Sequence, residues 1–352
     1  MTYEDRGATG NGAQAFLPPP AEGPAREGAS TRRGFLATSL AIGAAAWASG
    51  AGTAGAAPAI AEVKPSGASP TRPFKISLAQ WSLHRELQAA RLDPLDFAKV
   101  ANSFGVDAIE YVSQFYQGKA SNKTFLAELK RRAAGEGVWS LLIAVDGEGD
   151  LGARERKARR RAVESYKKWV DAAAFLGCHA IRVSVCGPKT AGSANEDDLA
   201  NWASEGLRKL AEFSGARGVD VLVENDGGVS SRGSWLSEVL NAVNHPRCGS
   251  LPDFGGFDLP GGDGHDRYKG VRELMPFARA VSARAHDFDE RGDETKTNFA
   301  QMLEIVTGAG YHGYVGIKYD GERLSERAGI ERTKALLERA RGQLGARTER
   351  RG

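Results

Sequence analysis

The chain has 352 residues, with 47 Lys+Arg against 44 Asp+Glu and a net charge of +3; hydrophobic residues make up 41% and charged residues 26%. Those proportions belong to a globular chain and exclude a disordered or collagen-like one, and so even a charge balance gives no electrostatic case for nucleic acid. The three cysteines, Cys178, Cys186 and Cys248, are too few and too odd in number for a disulfide framework.

The chain opens on a segment rich in Ala, Gly and Pro, without strand or helix periodicity before Thr31. Thr31-Arg32-Arg33-Gly34-Phe35-Leu36 follows, then an apolar run over 37–47. Adjacent arginines before a short, mild apolar run resemble a twin-arginine export signal. The run is too short to span a bilayer well. Ala54-Gly55-Ala56 supplies an A-x-A cleavage site, and no cysteine follows the run that would anchor a lipoprotein. Residues 1–56 are therefore expected to be a signal peptide and 57–73 a flexible linker. The mature protein is expected in the periplasm or outside the cell, with no stable membrane anchor.

From Phe74 onward, short β-branched runs alternate with longer amphipathic segments. The strand patterns fall at 75–80, 108–111, 139–145, 180–185, 220–224, 249–253, 280–287 and 314–319. Helical patterns lie after them, at 95–104, 123–134, 153–176, 197–216, 233–243, 268–278, 297–309 and 325–341. Gly105, Gly135 and Gly177 stand where a left-handed residue would end a helix. Eight such units predict an α/β fold, a (β/α)₈ barrel over 74–342, with a disordered tail at 343–352. An open doubly wound sheet is the competing architecture. Its Gly-rich phosphate loop is missing after the first strand, which runs into Trp81-Ser82-Leu83-His84.

In such a barrel the active site lies at the C-terminal ends of the strands. The polar residues there are Gln80, Glu110, Asp146, Arg182, Glu224 with Asn225 and Asp226, Asp253, His286 and Lys318. Glu224, Asp253 and His286 come from three successive strand ends and are expected to converge. Their mixed oxygen and nitrogen donors suit a divalent ion such as Mn²⁺, Mg²⁺, Co²⁺ or Zn²⁺. An acid at a strand end is also a common cap for the next helix, so each carboxylate alone is weak evidence.

The order and spacing of several short stretches resemble the sugar phosphate isomerase/epimerase group of the xylose isomerase-like barrel superfamily, in particular its exported members. They are Ile-Ser-Leu-Ala-Gln-Trp-Ser-Leu-His at 76–84, Ile-Glu-Tyr-Val at 109–112, Val-Asp-Gly-Glu-Gly at 145–149 and Leu-Gly-Cys-His-Ala-Ile-Arg-Val at 176–183. Val-Glu-Asn at 223–225, Leu-Pro-Asp-Phe-Gly at 251–255, the stretch 281–289 and the Gly-Tyr and Tyr-Asp-Gly-Glu runs at 310–322 complete the set. The resemblance covers 74 to about 341. It implies a metal held by acids from strands 5, 6 and 8 and a histidine from strand 7, with glutamates of strands 5 and 8 moving the proton. Carried over, Glu224 is a metal ligand and an acid/base, and Asp253 and His286 are metal ligands.

Strand 8 departs from this pattern, because Ile317-Lys318 stands where the second glutamate is expected. A cationic lysine does not ligate a metal unless it deprotonates. The metal is thus expected to be weakened or lost, and Lys318 joins Glu224 as a candidate catalytic residue. Asp226, Gly256 and Tyr166 depart from the family pattern around the same pocket. Gln80, Glu110, Asp146, Arg182 and Asn225 are the candidate sugar-binding residues. Arg182 serves equally as a salt bridge inside the barrel, and Glu110 and Asp146 as a polar layer closing its top. Trp81 and Phe254 could stack on a sugar, or simply pack in the core.

The expected activity is metal-assisted proton transfer next to the carbonyl of a sugar or sugar derivative. The alternatives are a lyase or hydrolase on oxidised glycosides and a non-catalytic carbohydrate-binding barrel, the latter favoured by Lys318. The expected partners are a small-molecule sugar and a second copy of the chain in a homo-oligomer.

Overall fold

The computed structural model describes residues 73–186, 195–257 and 266–349. The expected signal peptide and all but the last residue of the expected linker lie outside them.

Eight strands alternate with helices: β1 (Lys75–Ala79), β2 (Ala108–Val112), β3 (Trp139–Ala144), β4 (Ala180–Val183), β5 (Asp220–Glu224), β6 (Cys248–Leu251), β7 (Val281–Ala285) and β8 (Tyr314–Tyr319). All ladders are parallel, in the order β6-β5-β4-β3-β2-β1-β8-β7. Among the described residues the ring closes between β6 and β7 without a ladder. Two isolated bridges, Ser250 with Ala278 and Asp253 with Ser282, hold that seam. Pro252 lies at the seam with no N–H to donate. Its carbonyl accepts from Ser282 N at 2.9 Å, and Phe254 N donates to Ser282 O at 3.0 Å. This is the expected (β/α)₈ barrel.

The helices are α1 (His84–Gln88), α2 (Phe97–Ser103), α3 (Lys123–Gly135), α4 (Arg156–Leu176), α5 (Glu196–Gly215), α6 (Gly233–Val243), α7 (Arg267–Leu274), α8 (Phe299–Gly308) and α9 (Glu326–Glu349). The one-turn α1 has no counterpart in the sequence pattern, and α9 continues past the expected barrel boundary at 342. Asn122, Asn195 and Asn298 cap α3, α5 and α8, accepting from Phe125 N, Asp198 N and Gln301 N. Each cap is worth on the order of 1 kcal/mol. Gly177 ends α4 in the left-handed conformation, φ 84°. Gly135 does not take that role. It is the last residue of α3, and Gly137 carries the positive φ, 68°.

Strand alternation sorts the side chains. Val112, Leu142, Ala144, Ala180, Leu222, Leu251 and Ala280 fill the barrel as one apolar plug. Their neighbours Tyr111, Ile143, Ile181, Val221 and Val223 face outward into the helix layer and join the main core. Two residues beyond Ala180 and Leu222 on the inner face come Arg182 and Glu224. Ser282 and Gly316 are followed in the same way by Arg284 and Lys318. The interior is thus apolar below and charged at the C-terminal mouth.

Candidate active site

A cavity of about 300 Å³ opens at that mouth, lined among others by Trp81, Glu110, Gln114, Asp146, Arg182, Glu224, Asp226, Ser282, Arg284, Lys318 and Asp320. Glu224 closes β5 and is 2% exposed. Lys318 Nζ donates to Glu224 Oε1 at 2.7 Å and to Asp253 Oδ2 at 2.9 Å. Arg284 Nε also reaches Asp253 Oδ2, at 3.0 Å, and the same guanidinium meets Asp226 at 3.2 Å and Asp320 at 3.8 Å. Arg182 donates to Asp146 Oδ1 at 2.6 Å and lies 3.0 Å from Glu224 Oε2. That last contact is Coulombic and off the hydrogen-bond direction, so Glu224 Oε2 is buried without a donor. Gln114 Nε2 and Ser282 Oγ are likewise buried and unpartnered.

The charges set each other's protonation. Burial opposes the charge on Lys318, but Asp253, Glu224 and Asp226 outweigh it and keep the ammonium protonated above the usual lysine range. Burial pushes the Glu224 carboxyl up, against the pull of Lys318 and Arg182. Asp253 is held well below the usual carboxylate range, since Arg284 and Lys318 together overcome its burial. Glu110 is driven up to about 7 by burial, with Ser77 as its hydrogen-bond donor at 2.6 Å and Glu224 repelling it.

The structure brings together Glu224, Asp253, Lys318, Arg182, Asp146 and Glu110 from the expected set. It does not bring His286 to them. β7 ends at Ala285, two residues earlier than its pattern implies, because His286 N turns to donate to Glu294 Oε1 at 3.1 Å. The His286 ring follows, with Nδ1 4.0 Å from the same oxygen. Arg284 is the β7 residue that faces the cavity instead. Gln80 is fully buried, its amide bonded to Tyr116 OH at 2.7 Å and Val112 N at 2.9 Å. Asn225 is also buried and clamps both backbone groups of Asp253, at 2.8 and 3.0 Å. Both position the site from behind and do not line the cavity. Gly256 allows this clamp, for a Cβ there would lie 1.8 Å from Asn225 O. Phe254 packs edge-on against Phe299 in the core, whereas Trp81 lines the cavity and donates to Asp320 at 2.9 Å.

The implied divalent metal does not fit these residues. The oxygens that would ligate it, on Glu224 and Asp253, are held by an ammonium and a guanidinium. An ion at the usual ~2.0–2.6 Å from those oxygens would stand against both cations. Among the described residues no group of three or more His, Cys, Asp or Glu is arranged to hold a metal. Sequence reading missed Arg284, although its place two residues before His286 gives the same inward face.

The family model for the xylose isomerase-like TIM barrel matches residues 98–340. The chain belongs to that family. No curated protein sequence matches significantly. Among solved structures it is similar to a 3-keto-D-glucoside 4-epimerase from E. coli, with 15% identity, TM-score 0.59, and coverage of 75% of this chain and 99% of that one. It is also similar to an L-ribulose 3-epimerase (14%, TM-score 0.63, coverage 79% and 97%). A D-psicose 3-epimerase from Clostridium cellulolyticum H10 gives 14%, TM-score 0.61 and coverage of 76% and 98%. At such identities the likeness is one of fold.

Proposed function

We propose that this barrel catalyses proton transfer next to the carbonyl of a sugar or sugar derivative, with internal cations where relatives would use a metal. The observation that carries the reading is the Glu224–Lys318 pair on the cavity wall. Glu224 has one buried oxygen without a donor, positioned to act as base. Lys318 spends two of its three ammonium hydrogens on Glu224 and Asp253. The third is left for the substrate carbonyl oxygen. As Glu224 removes the neighbouring proton, negative charge grows on that oxygen beside Lys318, and preorganised cations stabilise it without reorganising. Glu110, three strands round the ring from Glu224, is the partner that returns or supplies a proton near neutral pH.

Elimination from an oxidised glycoside is the second reading. It shares the first step, and a Glu110 carboxyl near 7 is suited to protonating a leaving group. Isotope exchange tests both. Keto-sugars and keto-glycosides in D₂O should gain deuterium next to the carbonyl, and Glu224→Gln should slow this by ~10²–10⁴-fold, the usual worth of a positioned base. Product analysis separates epimer from eliminated aglycone. No exchange with any keto-sugar would leave the non-catalytic binding barrel.

The Arg32-Arg33 leader supports export by the twin-arginine route as part of the same proposal. No described helix is long and apolar enough to cross a membrane.

A further inference from the structure

We propose that the substrate is an uncharged glycoside, held across two adjoining cavities, with the reacting ring over Glu224 and the second ring or aglycone beside Trp169. The proposal rests on the sugar reading above and deepens it.

A second cavity of about 450 Å³ shares Gln114 and Asp146 with the first. Gln117, Gly147, Glu148, Lys168 and Trp169 add to its walls. The first cavity alone sits at the floor of the ~300–1,000 Å³ range of small-molecule sites, while the pair falls well inside it. Gln114 stands on the shared wall, and its Nε2 is buried without a partner. A buried donor with no acceptor has lost its water without replacement, which is unfavourable. A hydroxyl or the bridging oxygen of a glycoside would satisfy it.

Charge narrows the class. Arg182, Arg284 and Lys318 are each already bound to two or more of Asp146, Glu224, Asp226, Asp253 and Asp320. In the second cavity Lys168 is tied to Glu148 at 2.7 Å. Carboxylates outnumber cations, so a phosphate or uronate would displace an ion pair and face net negative walls. Apart from the third Lys318 hydrogen, which the carbonyl oxygen takes, the buried side-chain atoms without a hydrogen-bond partner among the described residues are neutral or a single acceptor: Gln114 Nε2, Ser282 Oγ and Glu224 Oε2. Those groups match hydroxyls, not an anion.

The test is saturation-transfer NMR and calorimetry on the full protein with matched sets built on glucose, galactose and mannose. Each set contains the free sugar, its phenyl glycoside, its 6-phosphate and its uronate. At least one phenyl glycoside should bind at least tenfold more tightly than its parent sugar, and the phosphate and uronate at least tenfold more weakly. Gln117→Trp, which fills only the second cavity, should remove the glycoside's advantage and leave the free sugar unchanged. Equal binding of sugar and glycoside overturns the second subsite. Preferred binding of a phosphate or uronate overturns the charge argument. Absence of binding by every probe, together with no deuterium exchange, overturns the sugar reading itself.

Discussion

Arg284 on β7 and Lys318 on β8 are register partners, and both cations meet one oxygen, Asp253 Oδ2, at 3.0 and 2.9 Å. Where the resemblance implies a metal over this carboxylate, this chain places two side-chain charges. The two cations are electrostatically linked through the carboxylate they share.

The first prediction concerns metal. The wild-type protein should not bind Mn²⁺ stoichiometrically at micromolar concentration. The double substitution Lys318→Glu with Arg284→His should raise affinity more than tenfold, that is by more than ~1.4 kcal/mol. Electron paramagnetic resonance titration of Mn²⁺ reads this directly. Stoichiometric micromolar binding by the wild type, unimproved in the variant, would sink the idea that the cations replace the ion.

Removing Lys318 should also cost stability. Lys318→Met leaves Glu224 and Asp253 buried side by side with one cation fewer. Breaking a buried pair in this way costs roughly 3–5 kcal/mol. Adding Glu224→Gln should recover part of the loss. Urea unfolding would measure both, and a loss below ~1 kcal/mol would show that water relieves the pair.

Glu110 gives a pH signature. Its folded carboxyl titrates at about 7 against 4.5 for the free group. Between those values the folded chain keeps a proton that the unfolded chain has released. Stability from this group is therefore complete below about pH 4.5 and is lost as pH rises through 7, by on the order of 3 kcal/mol. Glu110→Gln keeps an acceptor for Ser77 and should remove the dependence. Relative to wild type it should gain stability between pH 5 and pH 8. An identical difference at both pH values would show that Glu110 is ionised throughout.

Export is tested at the leader. Arg32→Lys with Arg33→Lys should hold the precursor in the cytoplasm, and the exported form should begin near Ala57. A protein found outside the cell still beginning at Met1 would defeat the signal-peptide proposal.

The barrel is legible in the sequence because short, mostly apolar runs alternate eight times with longer amphipathic segments. The bounds of β5 and β8 coincide with their patterns. The pocket is legible in Glu224, Asp253 and Lys318, where strand ends place charge among apolar neighbours. β7 is not, since its pattern runs on through His286 while the backbone leaves the sheet for Glu294, a residue eight positions away. Periodicity carries no information about such a capture. Gln80 and Asn225 mislead for a related reason: an amide at a strand end binds backbone as readily as sugar.

The weak joint between β6 and β7 gives the charge cluster a second duty. Asp253 leaves β6 and is gripped by Arg284 of β7 and Lys318 of β8, so the ionic contacts that shape the cavity also fasten the ring where backbone pairing is sparse. Any ligand that recruits Asp253 or its cations loosens that fastening. Catalytic redesign of this pocket is consequently inseparable from the mechanical integrity of the barrel, and amide exchange at Ser282 and Phe254 should register what happens over Glu224.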